Sequence, residues 1–215
     1  MIIIPECEIV VILVSRTGSG ALKRAIAKRY PKSMELYRHM EADGVPDGYD
    51  QWQKIGLVRD PLDRMLSLYK FLRTVKFEDH SVAYNNAMKR SVARPFSDWL
   101  LHNETVFTNP FDSEQGLYRY FPKYNCRHQL PENRKSQWLY LRPDLGTRIL
   151  KYRPDGERIY EILDLKRGRP SDRKNRSHSV PAEDLVVTSA AYAHLDTVFR
   201  WDMNAWSTPE GTKIR

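Results

Sequence analysis

The residue types best suited to chemistry near the start of the chain are Ser15-Arg16-Thr17-Gly18-Ser19-Gly20. This small polar loop follows a continuous apolar run, Ile9–Val14, and precedes Ala21–Tyr30, where Leu22, Ala25 and Ile26 recur at helical spacing. Backbone N–H groups at a helix start, made approachable by Gly18 and Gly20 and joined by the Thr17 and Ser19 hydroxyls, form a site for an anion. Arg16 adds a fixed positive charge, so a phosphate group suits the loop. The spacing GxxxxGK[ST] is absent, and Lys23 falls a turn into the helix rather than at its mouth. ATP or GTP hydrolysis, and with it a small kinase, is therefore disfavoured. The plain alternative is a strand-to-helix turn that binds nothing.

A second segment, Ile55-Gly56-Leu57-Val58-Arg59-Asp60-Pro61-Leu62-Asp63-Arg64-Met65-Leu66-Ser67-Leu68-Tyr69, repeats the arrangement of strand, polar junction and helix. Arg59 falls at the carboxyl end of the expected strand and Ser67 two turns into the helix. Both are placed to reach a second phosphate beside the first loop.

These two segments resemble the sulfotransferase family that uses 3′-phosphoadenosine 5′-phosphosulfate. In that family a Pro-Lys-Thr-Gly-Ser/Thr loop grips the 5′-phosphosulfate, and an Arg-Asp-Pro…Arg…Ser…Tyr segment grips the 3′-phosphate. More loosely, His128 and Gln137-Trp138-Leu139 resemble a His…Gln…Leu segment, and Asn175-Arg176-Ser177 an Asn-x-Ser loop near the nucleotide. Tyr192…Asp196…Phe199-Arg200-Trp201 resembles a C-terminal signature. The order is most similar to the carbohydrate-type branch and its bacterial or phage relatives.

The resemblance implies a single sulfotransferase-like domain over residues 1–215. Its fold would be a three-layer αβα arrangement with a central, mostly parallel sheet, related to the P-loop NTPases. The donor nucleotide would be held by Arg16, Thr17, Gly18, Ser19, Gly20, Ala21, Arg59, Ser67, Asn175 and Arg176. The acceptor would be a hydroxyl on an acidic glycan or another carbohydrate-like molecule, and no metal is implied. Sulfuryl transfer needs charge neutralisation on the leaving phosphate, the expected role of Arg16, and a general base. His39, Glu41 and His128 are the candidates, and the residue types leave the choice open. Two departures stand out. The family's loop lysine is Arg16 here, which keeps the charge but is bulkier. Arg153 stands where relatives often carry Glu.

These residues need elements to position them. Ile9–Val14 and Gln53–Val58 read as core strands, and Met34–Tyr37 as a short one. Asp60 and Pro61 open a helix with its buried stripe at Leu62, Met65, Leu66, Tyr69 and Leu72. Residues 83–124 read as helical, including Pro95–Leu101 and Ser113–Phe121. Trp138–Leu141 and Thr147–Tyr152 fit strands, whereas Pro154–Leu165 and Pro181–Tyr192 fit helices, followed by an aromatic terminus at His194–Trp201. Strands alternating with helices argue for an open α/β sheet with its ligands outside the strand carboxyl ends.

Composition sets the outer bounds. The 215 residues carry 35 Lys+Arg against 27 Asp+Glu, a formal net charge of +8. Between Arg119 and Arg176 there are 16 Lys+Arg and 7 Asp+Glu, so this stretch holds all of the excess. Such a tract is either a solvated basic face or a surface for an anionic partner. It motivates a second reading, a basic nucleic-acid- or nucleotide-binding protein on the same scaffold without transfer activity. Under the leading reading, Arg134, Lys135, Arg142, Lys166 and Arg167 serve the acceptor side. Pro5, Glu6 and Glu8 interrupt the N-terminal apolar run, and no basic segment precedes it. A cytoplasmic protein without a membrane anchor is expected. The two cysteines, Cys7 and Cys126, read as inert thiols, and the five tryptophans as packing residues.

Overall fold

The computed structural model describes residues 1–36, 39–74, 89, 92–102, 134–152, 157–166 and 180–209. His128, Asn175, Arg176, Cys126, Arg153 and most of residues 83–133 lie outside the described residues. The strands are β1 (Ile2–Ile4), β2 (Ile9–Ile12), β3 (Met34–Glu35), β4 (Gln53–Val58) and β5 (Arg148–Lys151). They form one sheet in the order β3-β1-β2-β4-β5. β2, β4 and β5 run parallel, with Val11 beside Ile55 and Leu57 beside Leu150. β1 runs antiparallel to both of its neighbours, pairing Ile3 with Val10 and with Met34. The expected α/β class is present, with a mixed sheet in which β1 alone points the other way.

Strand alternation divides the apolar side chains between two faces. Ile2, Ile4, Ile9, Val11, Leu13, Ile55, Leu57 and Leu150 form one cluster with Leu22 and Ile26 of α1 (Ser19–Arg29) and Ile159 of the later helix Glu157–Ile162. Ile3, Val10, Ile12, Val14 and Val58 pack on the opposite face against Tyr140, Leu141 and Ala205. Helices thus cover both sides of the sheet. A third cluster joins α2 (Pro61–Thr74) to α3 (Phe96–Leu101) and to the later helix Ser189–Val198, with Tyr69, Phe96 and Trp99 in mutual ring contact.

Local signals act as expected at α2. The Asp60 carboxylate accepts the Asp63 N–H at 2.8 Å, capping a helix that begins at Pro61. α1 begins two residues before its expected start, because Gly18, at φ 75°, turns the chain directly into it.

Two expectations are corrected. Trp138–Leu141, read as a strand, belongs to helix α4 (Gln137–Leu141). A four-residue apolar run does not distinguish the two states. Here Ser136 caps the Trp138 N–H, and the helix lays Leu141 over Gly56, where an added Cβ would stand 2.1 Å from Leu141 Cδ2. After α5 (Glu157–Ile162), the helix expected over Pro181–Tyr192 is divided. A short 3-10 turn covers Ala182–Leu185, Val186–Thr188 leaves helical geometry, and α6 (Ser189–Val198) starts under a Thr188 cap. The Ser97 hydroxyl donates to the Val186 carbonyl at 2.7 Å and accepts the Thr188 N–H at 2.9 Å, which holds this segment out of the helix. The aromatic terminus expected over His194–Trp201 is divided between the end of α6 and the start of α7 (Arg200–Ser207).

Candidate functional site

The parallel strands β2 and β4 end side by side, and the chain leaving each of them carries one of the two polar segments. After β2, Arg16 at φ 64° and Gly18 at φ 75° flank Thr17, which stays outside the positive-φ region. Alternation of backbone handedness turns successive N–H groups toward one concavity, and those at the start of α1 lack intrahelical acceptors. Gly18 is required twice over. Its φ suits glycine, and a Cβ would come within 2.7 Å of Tyr152 Cε2.

A non-glycine residue in left-handed geometry, such as Arg16, must be held there. Arg59 donates from Nη1 to the Arg16 carbonyl oxygen at 2.8 Å. Arg16 itself donates from Nε and Nη2 to Ser67 Oγ at 3.2 and 3.1 Å, with its guanidinium 4.5 Å from the Phe71 ring centroid. Arg59 lies 5.2 Å from the Tyr152 ring centroid and 4.0 Å from Asp63 Oδ2, and its buried Nε has no hydrogen-bond partner. The fold therefore brings Arg16, Arg59 and Ser67 into one contact set beside the loop. An anion beside these two guanidinium groups would be stabilised by charge-assisted hydrogen bonds.

The other expected donor residues divide. Gly18, Ser19, Gly20 and Ala21 form the cap and first turn of α1. Thr17 is buried, and its hydroxyl donates inward to the Val14 carbonyl at 2.9 Å. It serves to close the loop, so its contribution toward a ligand is backbone rather than hydroxyl. Lys23 pairs with Glu35 of β3, away from the loop mouth.

Of the candidate bases, His39 packs against the chain leaving β2. Its Nδ1 is 2.9 Å from the Leu13 carbonyl oxygen, two residues ahead of Ser15 where the loop begins. A carbonyl only accepts, so Nδ1 carries the proton and the basic lone pair of the neutral ring is on Nε2. Glu41 has a different environment. It is 1% exposed and ion-paired with Lys135, which is itself fully buried. Burial pushes the Glu41 carboxyl above the usual carboxylate range, against the opposing pull of Lys135.

Several residues beneath the loop were not singled out for a role by their types alone. Arg64, fully buried, donates from Nε to the Ser15 carbonyl at 3.2 Å, from Nη2 to Ser15 Oγ at 3.0 Å and from Nη1 to the Lys135 carbonyl at 2.8 Å. Asp202 accepts from Ser136 Oγ at 2.5 Å and from the Gln137 backbone N–H. Burial raises its carboxyl pKa, while the Arg64 charge and these hydrogen bonds oppose the rise. Tyr152 extends the sheet ladder past β5 by donating its N–H to the Val58 carbonyl at 2.7 Å. Its place at a strand's carboxyl end is the signal that marks it.

The basic tract needs correction where it is described. Lys135 is in the interior, and Arg142 is ion-paired with both Asp43 and Asp144. These two cations stabilise the chain itself and are not a surface that recruits an acceptor. Arg167 and most of the rest of the tract lie outside the described residues. Among the described residues no helix is long and apolar enough to cross a membrane, and no group of three His, Cys, Asp or Glu side chains is arranged to hold a metal ion. Comparison with family models, curated proteins and solved structures found no match.

Proposed function

We propose that this chain is a sulfotransferase of the P-loop-like fold. It would move a sulfuryl group from 3′-phosphoadenosine 5′-phosphosulfate to an acceptor hydroxyl on a carbohydrate. One observation carries the reading: the two segments that resemble donor-binding motifs meet at the carboxyl ends of adjacent parallel strands. There Arg59 bonds the Arg16 carbonyl, and Arg16 bonds Ser67.

The donor would supply the sulfuryl group, whose sulfur gains a bond to the acceptor oxygen as its bond to the bridging phosphate oxygen breaks. Arg16 and the loop N–H groups would neutralise charge on the departing phosphate, with the guanidinium keeping its proton throughout. Arg59 and Ser67 would grip the 3′-phosphate. His39 would accept the hydroxyl proton, with the Nδ1 bond to the Leu13 carbonyl fixing its tautomer. Positioning and charge neutralisation, rather than covalent catalysis, would account for most of the rate.

Calorimetric titration with 3′-phosphoadenosine 5′-phosphate tests the nucleotide claim. Saturable binding is expected, weakened by about tenfold or more in Arg59→Ala, the usual loss for a hydrogen bond to a charged group. No saturable binding, or binding indifferent to Arg59→Ala, overturns it.

The second reading, a nucleic-acid-binding scaffold, is favoured by the local charge excess and by arginine in place of the loop lysine. It predicts that affinity for single- or double-stranded nucleic acid falls steeply with salt, as counterion release requires. Weak binding insensitive to salt in a filter or fluorescence assay counts against it.

A further inference from the structure

We infer that Gln137, itself held by Asp202, is a positioning residue that sets the aim of the Arg59 guanidinium. This rests on the donor-site reading above and deepens it. Arg59 is the first residue past β4, where the sheet ladder ends. At that point the Gln137 side chain takes the place of a neighbouring strand. Its Oε1 accepts the Arg59 N–H at 2.9 Å, and its Nε2 donates to the Arg59 carbonyl at 2.8 Å.

A carboxamide is the side-chain group that offers a donor and an acceptor with the spacing of a peptide group. Glutamate lacks the donor and methionine lacks both. The amide is oriented in turn. The Asp202 carboxylate accepts the Gln137 backbone N–H at 3.0 and 2.9 Å, and Nε2 lies 3.3 Å from Asp202 Oδ2. Gln137 and Asp202 are both fully buried, so water does not substitute for either. With its backbone pinned at both polar atoms, Arg59 has a fixed Cα–Cβ direction from which its guanidinium meets the Arg16 carbonyl and lies alongside Tyr152. A guanidinium aimed in advance binds an anion without the entropy loss of ordering itself.

The test combines a double-mutant cycle with hydrogen exchange. Gln137→Met is expected to raise the dissociation constant for 3′-phosphoadenosine 5′-phosphate about tenfold, the effect of losing two neutral hydrogen bonds that act on a charged one. In an Arg59→Ala background the same substitution is expected to change binding by less than about twofold, because the group it positions is gone. Exchange of the Arg59 amide is expected to accelerate by more than about tenfold, with Ile55 in the centre of β4 unchanged. Unaltered binding in Gln137→Met, or an equal loss in both backgrounds, overturns the inference by showing no role or a merely global one.

The exchange measurement separates the two proposals. If the wild-type chain does not bind the nucleotide, the sulfotransferase reading fails. The Arg59 amide then decides the positioning alone: acceleration supports it and unchanged exchange overturns it. Should Gln137→Met not fold, Asp202→Asn carries the same comparison. It keeps an acceptor for the Gln137 N–H and is expected to weaken nucleotide binding by about threefold.

Discussion

Replacing Lys135 with methionine is expected to destabilise the protein by about 3–5 kcal/mol at neutral pH, the cost of leaving a buried charge without its partner. Lys135 and Glu41 are 0% and 1% exposed, and they pair across 94 residues of sequence. The Lys135 ammonium also lies 4.2 Å from the Tyr140 ring centroid, whereas Glu41 Oε2 has no hydrogen-bond partner. Methionine retains most of the volume and removes the charge, so Glu41 is left to ionise alone in the interior or to take up a proton.

The pH dependence follows from the direction of the Glu41 shift. Burial already raises this carboxyl in the folded state. The folded protein therefore binds its proton more tightly than the unfolded chain does, and stability falls as pH rises from the ordinary carboxylate value through the folded one. Without Lys135 the folded value rises further and the window widens upward. The penalty of Lys135→Met should be largest at neutral pH and shrink as pH falls toward the ordinary carboxylate range. Glu41→Gln combined with Lys135→Met should recover most of the loss. Urea unfolding at about pH 5 and 7.5 measures both effects. A loss below about 1 kcal/mol, or one that does not change with pH, would show that the pair is not the buried unit described.

Arg64→Ala is the second large effect, expected at about 3–5 kcal/mol for truncating a buried, charged, multiply bonded side chain. The guanidinium joins three separate parts of the chain. It holds the Ser15 carbonyl and hydroxyl of the loop from within α2, and the Lys135 carbonyl ahead of α4. Its charge also offsets the buried Asp202 carboxylate. Lysine in its place restores the charge but not the planar fork, so Arg64→Lys should recover less than half of the loss. Because the Lys135 carbonyl belongs to the backbone, Lys135→Met leaves this clamp intact, and the two losses report different contacts. Denaturant midpoints of the single variants and a near-native slope are the measurement. A change under about 1 kcal/mol for Arg64→Ala would remove it as the support of the loop.

Glu41 illustrates how residue type and position diverge. A carboxylate downstream of the first helix invites the role of general base. The fold instead closes it in an ion pair with Lys135, while His39 bonds the Leu13 carbonyl ahead of the loop. The basic tract behaves similarly: Lys135 and Arg142, counted as surface charge, are occupied by Glu41, Asp43 and Asp144. Of these pairs, Lys135–Glu41 and Arg142–Asp43 join charges far apart in sequence, which leave no local mark of their pairing.

Short-range signals were legible wherever a few neighbouring residues carry the free-energy preference. The β-branched run of β2, the apolar Ile55–Val58 end of β4, the Asp60–Pro61 start of α2 and the left-handed turn at Gly18 that leads the loop into α1 all act within one or two turns. Tertiary structure decided what depends on distant segments. It reversed β1 within an otherwise parallel sheet and made a helix of Gln137–Leu141 by packing it over Gly56. It also assembled Arg64, Gln137 and Asp202 beneath the loop. The physical reason is desolvation. A charged or polar side chain prefers water unless the folded chain supplies its partners, and for these residues the partners arrive from 49 to 78 positions away.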